Sequence, residues 1–295
     1  MEHKQWSGRT GGQVWMQKSL VLMCRFIDLR ILYFIMGCVV PFYMLFSHKG
    51  YISIYHFFRK QIGYSPIKSF WNVFLNHLMF GQIILDRFAT YAGKKFDIEI
   101  EGNEYCNDLY SKGQGFILIG SHIGNFELAG YSIGCDKKRF NSMVFEGETE
   151  IVRKNREKIL NENNIRLIPV KDDMSHIFLI NDALCNGEVV GMPADRIFGS
   201  QKYVECDFIK GKAKFPIGAF ALAVQREVPI ISIFVMKQNY RKYKIYVKPI
   251  DIVKKQDDIT KKEKIELSVN NFVKQFESIV VKYPTQWFNY YEFWT

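Results

Sequence analysis

Two side chains in this sequence stand at a spacing that suits proton transfer. They are His122 and Glu127, in the stretch Gly120-Ser121-His122-Ile123-Gly124-Asn125-Phe126-Glu127. An imidazole with one nitrogen held by a carboxylate can use the other to take a proton from a hydroxyl or an amine. In a regular helix, five positions carry the chain about 140° past a full circle, so the two side chains would point apart. They can converge only across a bend. Gly120 and Gly124 supply one, and Asn125 can cap a helix beginning at Phe126, which leaves His122 in the turn and Glu127 in the first helical turn. The alternative is a structural histidine satisfied at a strand end. Ser121 is a poor nucleophile candidate, because Gly-Ser-His-Ile-Gly does not centre the serine in the strained elbow that hydrolases use.

The elements that must hold this turn follow from periodicity. The apolar run 116–119 reads as a buried strand running directly into it. Around it, strands are expected at 96–101, 141–145, 166–170, 189–192, 230–236 and 244–247. Helices are expected at 104–111, 151–161, 177–185, 217–225 and 261–281. Strands separated by helices predict an α/β fold with a mostly parallel sheet flanked by helices, its chemistry at the carboxyl ends of the strands. Asp195 and Arg196 follow the apolar strand 189–192 at such an end. Arg196 could fork onto a phosphate or carboxylate, or the two residues could be a structural ion pair closing the strand. Lys212, in a Gly- and Lys-containing stretch read as a bend before a helix, could grip an anion or be exposed loop.

Before residue 93 the character changes. Residues 31–46 carry no charge, yet as a helix they would cover about 24 Å, short of the roughly 30 Å hydrocarbon core of a bilayer. Upstream charges at Arg25, Asp28 and Arg30 make the combined segment amphipathic first and wholly apolar later. Helices are expected at 20–47, 52–61 and 67–92. Residues 1–92 are read as an N-terminal helical membrane-anchor region, seated in the plane of the membrane or obliquely, and 93–295 as the α/β catalytic domain.

The net charge of +10 asks for a polyanionic surface or a solvated face. The lysine-rich stretch 237–264 matches no nucleic-acid module, so nucleic acid is not the expected partner. Aromatic residues make up 16% of the chain and crowd both ends, which suggests an apolar or interfacial partner beyond the core. The six cysteines lack metal-ligand spacing and read as reduced, buried thiols, with no metal or cofactor expected.

Taken in order, these features resemble the lysophospholipid acyltransferase superfamily, in particular the bacterial late acyltransferases of lipid A biosynthesis. The likeness rests on the apolar N-terminal segment, His122 with Glu127, and Gly187-Glu188-Val189-Val190 running into Asp195-Arg196. It extends over the stretch 213–223, Val228-Pro229-Ile230-Ile231, and the closing Tyr283-Pro284-Thr285-Gln286-Trp287-Phe288. The resemblance implies transfer of a fatty acyl chain from an acyl thioester, on acyl carrier protein or coenzyme A, to a hydroxyl or amine of a lipid acceptor. A lipid A precursor or related glycolipid is the acceptor implied, with amino-acid or polyene lipids as alternatives. It implies that His122 is the general base, that Glu127 orients and charge-balances it, and that Asp195 and Arg196 hold an anionic acceptor or transition-state charge. Gly124 and Asn125 are expected to offer backbone N–H groups near the oxyanion, and Lys212 to bind substrate. The thioester would be a co-substrate, and the location the cytoplasmic face of a bacterial inner membrane. A non-catalytic lipid-binding protein on a membrane surface is the competing class.

Overall fold

The computed structural model describes residues 14–46, 48–132, 138–145, 164–170, 175–197, 202–250 and 259–295, together with Glu157, Leu160 and Glu162. Most of the helix expected at 151–161, and the opening stretch from Trp6 to Gly12, lie outside these residues.

The expected single helix over 20–47 is two. α1 (Val14–Phe26) and α2 (Leu29–Phe46) meet at Asp28, whose carboxylate accepts the backbone N–H of Arg30 at 2.8 Å and so supplies a start signal that apolar periodicity alone does not show. Then come α3 (His48–His56), a π-helical turn (Phe57–Ile62) closed by Gly63, and α4 (Pro66–Tyr91). Ser65 starts α4 by accepting the N–H of Lys68, with Pro66 at the first helical position where its missing donor costs nothing. At about 27 Å, α2 remains short of a bilayer core. Among the described residues no helix is long and apolar enough to cross a membrane.

The rest is a mixed α/β fold. Its elements are β1 (Asp97–Glu101), α5 (Asn103–Ser111), β2 (Phe116–Gly120), α6 (Glu127–Ser132), β3 (Phe140–Phe145), β4 (Ile165–Val170), α7 (Ser175–Cys185) and β5 (Val189–Pro193). They continue with β6 (Tyr203–Phe208), β7 (Gly211–Pro216), α8 (Gly218–Arg226), β8 (Ile230–Lys237), β9 (Lys242–Ile250) and α9 (Lys261–Lys282). Among the described residues, seven strands form one sheet in the order β1-β9-β8-β2-β5-β3-β4, parallel except where β8 meets β9. The central strand β2 pairs with β5 and β8 and is buried throughout, as its unbroken apolar run requires.

Strand alternation splits the core into two layers. Ile117 and Ile119 pack with Val190, Phe234, Phe272, Phe276 and Trp287 on one side; Phe116 and Leu118 pack with Leu128, Val235 and Tyr243 on the other. The C-terminal rings belong to the first layer. Trp287 and Phe293 are buried among Phe208, Phe215 and Phe276, so the aromatic excess at this end is core, not an interfacial partner surface. The N-terminal rings divide: Phe57 and Phe58 are buried, whereas Phe26, Phe34 and Phe42 are exposed. Three of the cysteines, Cys24, Cys106 and Cys206, are buried, and burial pushes the Cys106 thiol up to about 12; Cys38 and Cys185 are exposed, contrary to expectation.

A further difference concerns Lys212. The stretch expected to bend is β7, which forms an antiparallel hairpin with β6. The alternation Val204, Cys206, Phe208 against Ala213, Phe215 gives this pair an apolar face, and Ile209 turns the corner with φ +59°. The hairpin escaped the sequence reading because its strands also carry Lys, Glu and Asp on the outer face.

The helical layer is keyed to the sheet by buried charge. Asp86 of α4 and Lys237 at the end of β8 form an ion pair, and the hydroxyls of Tyr33 (α2) and Tyr243 (β9) donate to the same carboxylate. Lys237, expected in a solvated or membrane-facing lysine run, is therefore a core residue, 5% exposed. Burial raises the Asp86 pKa and lowers that of Lys237, and their mutual attraction opposes both shifts. Removing one partner strands the other in the core. Asp86→Ala is expected to cost about 3–5 kcal/mol in thermal or denaturant unfolding. Asp86→Leu combined with Lys237→Met should cost markedly less than the sum of the single changes, and additive losses would disprove the pairing.

Candidate active site

The turn after β2 is built as its glycines require. Gly124 has φ +61°, and a Cβ there would stand 2.0 Å from the carbonyl oxygen of Val235, so no side chain fits between the turn and β8. Gly120 is constrained by packing alone, since a Cβ would meet the Phe126 ring at 2.1 Å. The turn is pinned on two sides. Asn125 N donates to Val235 O at 2.8 Å, Gly124 N donates to Gln286 O at 2.9 Å, and Phe288 N donates to His122 O at 3.0 Å. Gln286, 4% exposed, also grips the Lys237 backbone, accepting its N–H and donating to its carbonyl. The histidine thus sits on a backbone with little freedom to shift.

Its side chain is held by Asp195. His122 Nδ1 lies 2.7 Å from Asp195 Oδ1, while the backbone N of His122 donates to Asp195 Oδ2 at 2.9 Å. A carboxylate only accepts, so in the neutral imidazole Nδ1 is the nitrogen that carries the proton and Nε2 is the basic one. Asp195 is 2% exposed and His122 about one third. Burial alone would raise the Asp195 pKa, but the charge and hydrogen bonds of His122, with Arg196 nearby, hold it below the ordinary carboxylate value.

The two sequence-read pairs are therefore rearranged. The carboxylate on Nδ1 comes from the end of β5, and Glu127 is occupied elsewhere: Tyr91 of α4 donates to it, and Arg87 Nη1 stands 3.7 Å from its Oε2. The bend expected to bring Glu127 onto the imidazole instead leaves its carboxylate on α4. Parallel pairing of β2 with β5, with Gly120 opposite Pro193, brings Asp195 to the histidine; five-residue spacing along one chain cannot show that.

Arg196 donates from Nη2 to Phe288 O at 2.9 Å, and its guanidinium lies over the Tyr291 ring. It thereby helps fasten the C-terminal segment beside His122. The backbone N–H groups of Gly124 and Asn125, expected near an oxyanion, are spent on Gln286 and Val235 in this conformation. Lys212 is exposed on the hairpin and stands 3.3 Å from Asp207; its carbonyl accepts from Thr295 N. Ser121 is buried and its Oγ finds no hydrogen-bond partner among the described residues, so His122 does not activate it. Among the described residues no group of three or more potential metal ligands comes together.

Three contributors escaped the sequence reading. Arg87 and Tyr91 are one helical turn apart on α4 and carried no motif; only their (i, i+4) spacing at the end of a long amphipathic helix could have drawn attention to them. Gln286 lay inside the noted Tyr283-to-Phe288 run, but its role as a clamp depends on the antiparallel bridge between Ile123 and Trp287, which is long-range.

No individually curated protein matches the chain. A family profile described as bacterial lipid A biosynthesis acyltransferase matches residues 75–294, well over half of the sequence. That span takes in most of α4, the whole sheet, the His122 turn with its Asp195 partner, and the C-terminal segment that fastens both. By that match the chain belongs to the bacterial lipid A biosynthesis acyltransferase family.

Proposed function

We propose that the protein moves a fatty acyl chain from an acyl thioester to a hydroxyl or amine of a lipid acceptor, with His122 as general base. The observation that carries this is the 2.7 Å contact of His122 Nδ1 with Asp195 on a side chain that remains one-third exposed, because in a neutral ring so held Nε2 is the basic nitrogen. In the reaction Nε2 takes the proton of the acceptor group as its oxygen or nitrogen attacks the thioester carbonyl. The new C–O or C–N bond forms and the C–S bond breaks. The imidazolium returns the proton to the departing thiolate, so no acyl-enzyme and no metal is required by the balance. Asp195, charged and buried, fixes the tautomer and stabilises the imidazolium. Glu127 is the second carboxylate of the site, aimed by Tyr91, and adds negative potential beside the cationic intermediate state of the base.

The donor is read as acyl carrier protein or coenzyme A thioester and the acceptor as a lipid A precursor or related glycolipid. The family match supports the acyl-transfer and lipid parts of this reading. Membrane seating is proposed through one face of the helical layer. Exposed Ile31, Phe34, Ile35, Val39, Phe42 and Tyr43 recur at three- and four-residue intervals along α2, and Ile67, Phe70 and Trp71 do so on α4. An in-plane helix pair at the cytoplasmic surface of a bacterial inner membrane would put the site where soluble thioester and lipid acceptor meet. Residues 1–92 would then be the membrane-associated region and 93–295 the catalytic domain.

Transfer of a labelled acyl chain to lipid acceptors tests the chemistry. His122→Ala is expected to lose about 10²–10⁴-fold in kcat, and Asp195→Asn to fall in the same range because the tautomer is no longer held. Near-full activity in a folded His122→Ala protein would refute the assignment. Asp195→Asn should also change acid stability. The native Asp195 pKa is depressed, so its contribution is complete above the ordinary value of 3.8 and is lost as pH falls below that through the native value. The stabilities of the two proteins should therefore converge only once the pH has fallen below the depressed native value of Asp195. For the membrane surface, Phe34→Ser with Phe42→Ser should weaken binding to anionic vesicles by at least about tenfold in flotation, and unchanged flotation would rule this face out.

A further inference from the structure

We propose that Arg87 of α4 is an anion-binding residue of the active site, holding a phosphate carried by one of the two co-substrates. The inference rests on the acyl-transfer reading above and names a ligand group that the reading leaves unplaced.

The first ground is an unspent donor. Arg87 Nε is buried and finds no hydrogen-bond acceptor among the described residues, and Nη1 at 3.7 Å from Glu127 is beyond hydrogen-bonding distance. A guanidinium presents five donors, and leaving them unmatched in a side chain two-thirds withdrawn from water is costly. The native molecule tolerates that cost at a place where an acceptor arrives with the substrate.

The second ground is position. One side of α4 runs past the catalytic turn: His77 packs on Tyr290 and Phe80 on Phe288 at one end, while Arg87 and Tyr91 meet Glu127 at the other. Phe288 in turn is hydrogen-bonded to the His122 carbonyl. The helix therefore offers aromatic rings to a chain and a cation to a head group, on either side of the base.

The third ground is that the arginine indicated by sequence, Arg196, already gives a hydrogen bond to Phe288 O and stacks on Tyr291. Arg87 turns Nη1 toward Glu127 and lies over the Phe88 ring, while its Nε has no acceptor among the described residues; Nε belongs to the side-on fork that matches two oxygens of a phosphate. Glu127 opposes an anion at this point by charge.

A phosphate can come from either partner. The pantetheine arm of carrier-protein or coenzyme A thioesters carries one, and so does a phosphorylated glycolipid acceptor. The test uses the full chain, with Arg87→Gln and Arg87→Lys, whose folding is checked by circular dichroism melts. Acceptor is supplied with its phosphate or after phosphatase treatment, and acyl donor as carrier-protein thioester or as the phosphate-free N-acetylcysteamine thioester. For the partner whose phosphate is held, Arg87→Gln should raise KM by about 10- to 100-fold, with a smaller loss in kcat and Arg87→Lys intermediate. Against the phosphate-free form of that partner, wild type and Arg87→Gln should have the same KM. Equal losses with both forms would make Arg87 a positioning residue for Glu127 and overturn the proposal, as would no loss at all. If the wild type transfers no acyl group, the acyl-transfer reading has failed, and anion binding is read separately by melting in inorganic pyrophosphate. There the wild type should gain Tm and Arg87→Gln should not; the same response from both proteins would overturn the proposal.

Discussion

Everything at the site depends on the approach of Gly124 to β8. With its missing Cβ, the turn after β2 lies directly against the Val235 carbonyl, and the next residue donates its N–H to that same oxygen. The contact converts a strand end into a rigid platform. Once the backbone is fixed there, Gln286 can accept from Gly124, Phe288 can close on the His122 carbonyl, and the imidazole points at Asp195 instead of at the helix that follows. Any other residue at position 124 would need an unfavourable φ and would also push the turn off the sheet, losing all three bonds together.

The same platform joins parts of the chain that are far apart in sequence. Lys237 ends β8 two residues beyond Val235; Gln286 holds its backbone, and Asp86, reached from α4, holds its ammonium. Tyr33 brings α2 to that carboxylate and Tyr243 brings β9. A buried ion pair is weak support for net stability, because desolvation consumes most of the attraction. Its value here is registry: only one placement of α2 and α4 satisfies all four groups. A slip of α4 by one turn would leave a charge unpaired in the core and would carry Arg87 and Tyr91 away from Glu127.

Much of the sheet was legible because its strands are short apolar runs bounded by turn residues, and the parallel order follows from helices between them. The hairpin β6–β7 was hidden by charged residues on its outer face, and the break between α1 and α2 by apolar periodicity that runs straight through it. At the site, His122, Glu127, Asp195 and Arg196 could all be marked as polar groups at strand ends. Which carboxylate would meet the imidazole could not. That depends on the register of β2 against β5 and on how far α6 rotates Glu127, and both are set by packing between strands and helices distant along the chain. The clamp by Gln286 and the approach of Arg87 are long-range for the same reason.

Two carboxylates flank one histidine turn, and their surroundings separate their work. Asp195 is sealed and accepts from both the ring and the backbone of His122, an arrangement that keeps it charged and keeps the ring from rotating. Glu127 is about a quarter exposed and answers to α4 through a tyrosine and an arginine. A group so held can change partners at little cost, whereas Asp195 cannot move without stranding a buried charge. The fixed carboxylate therefore holds the His122 ring in one orientation, while the other can exchange its contacts with α4 without disturbing that ring.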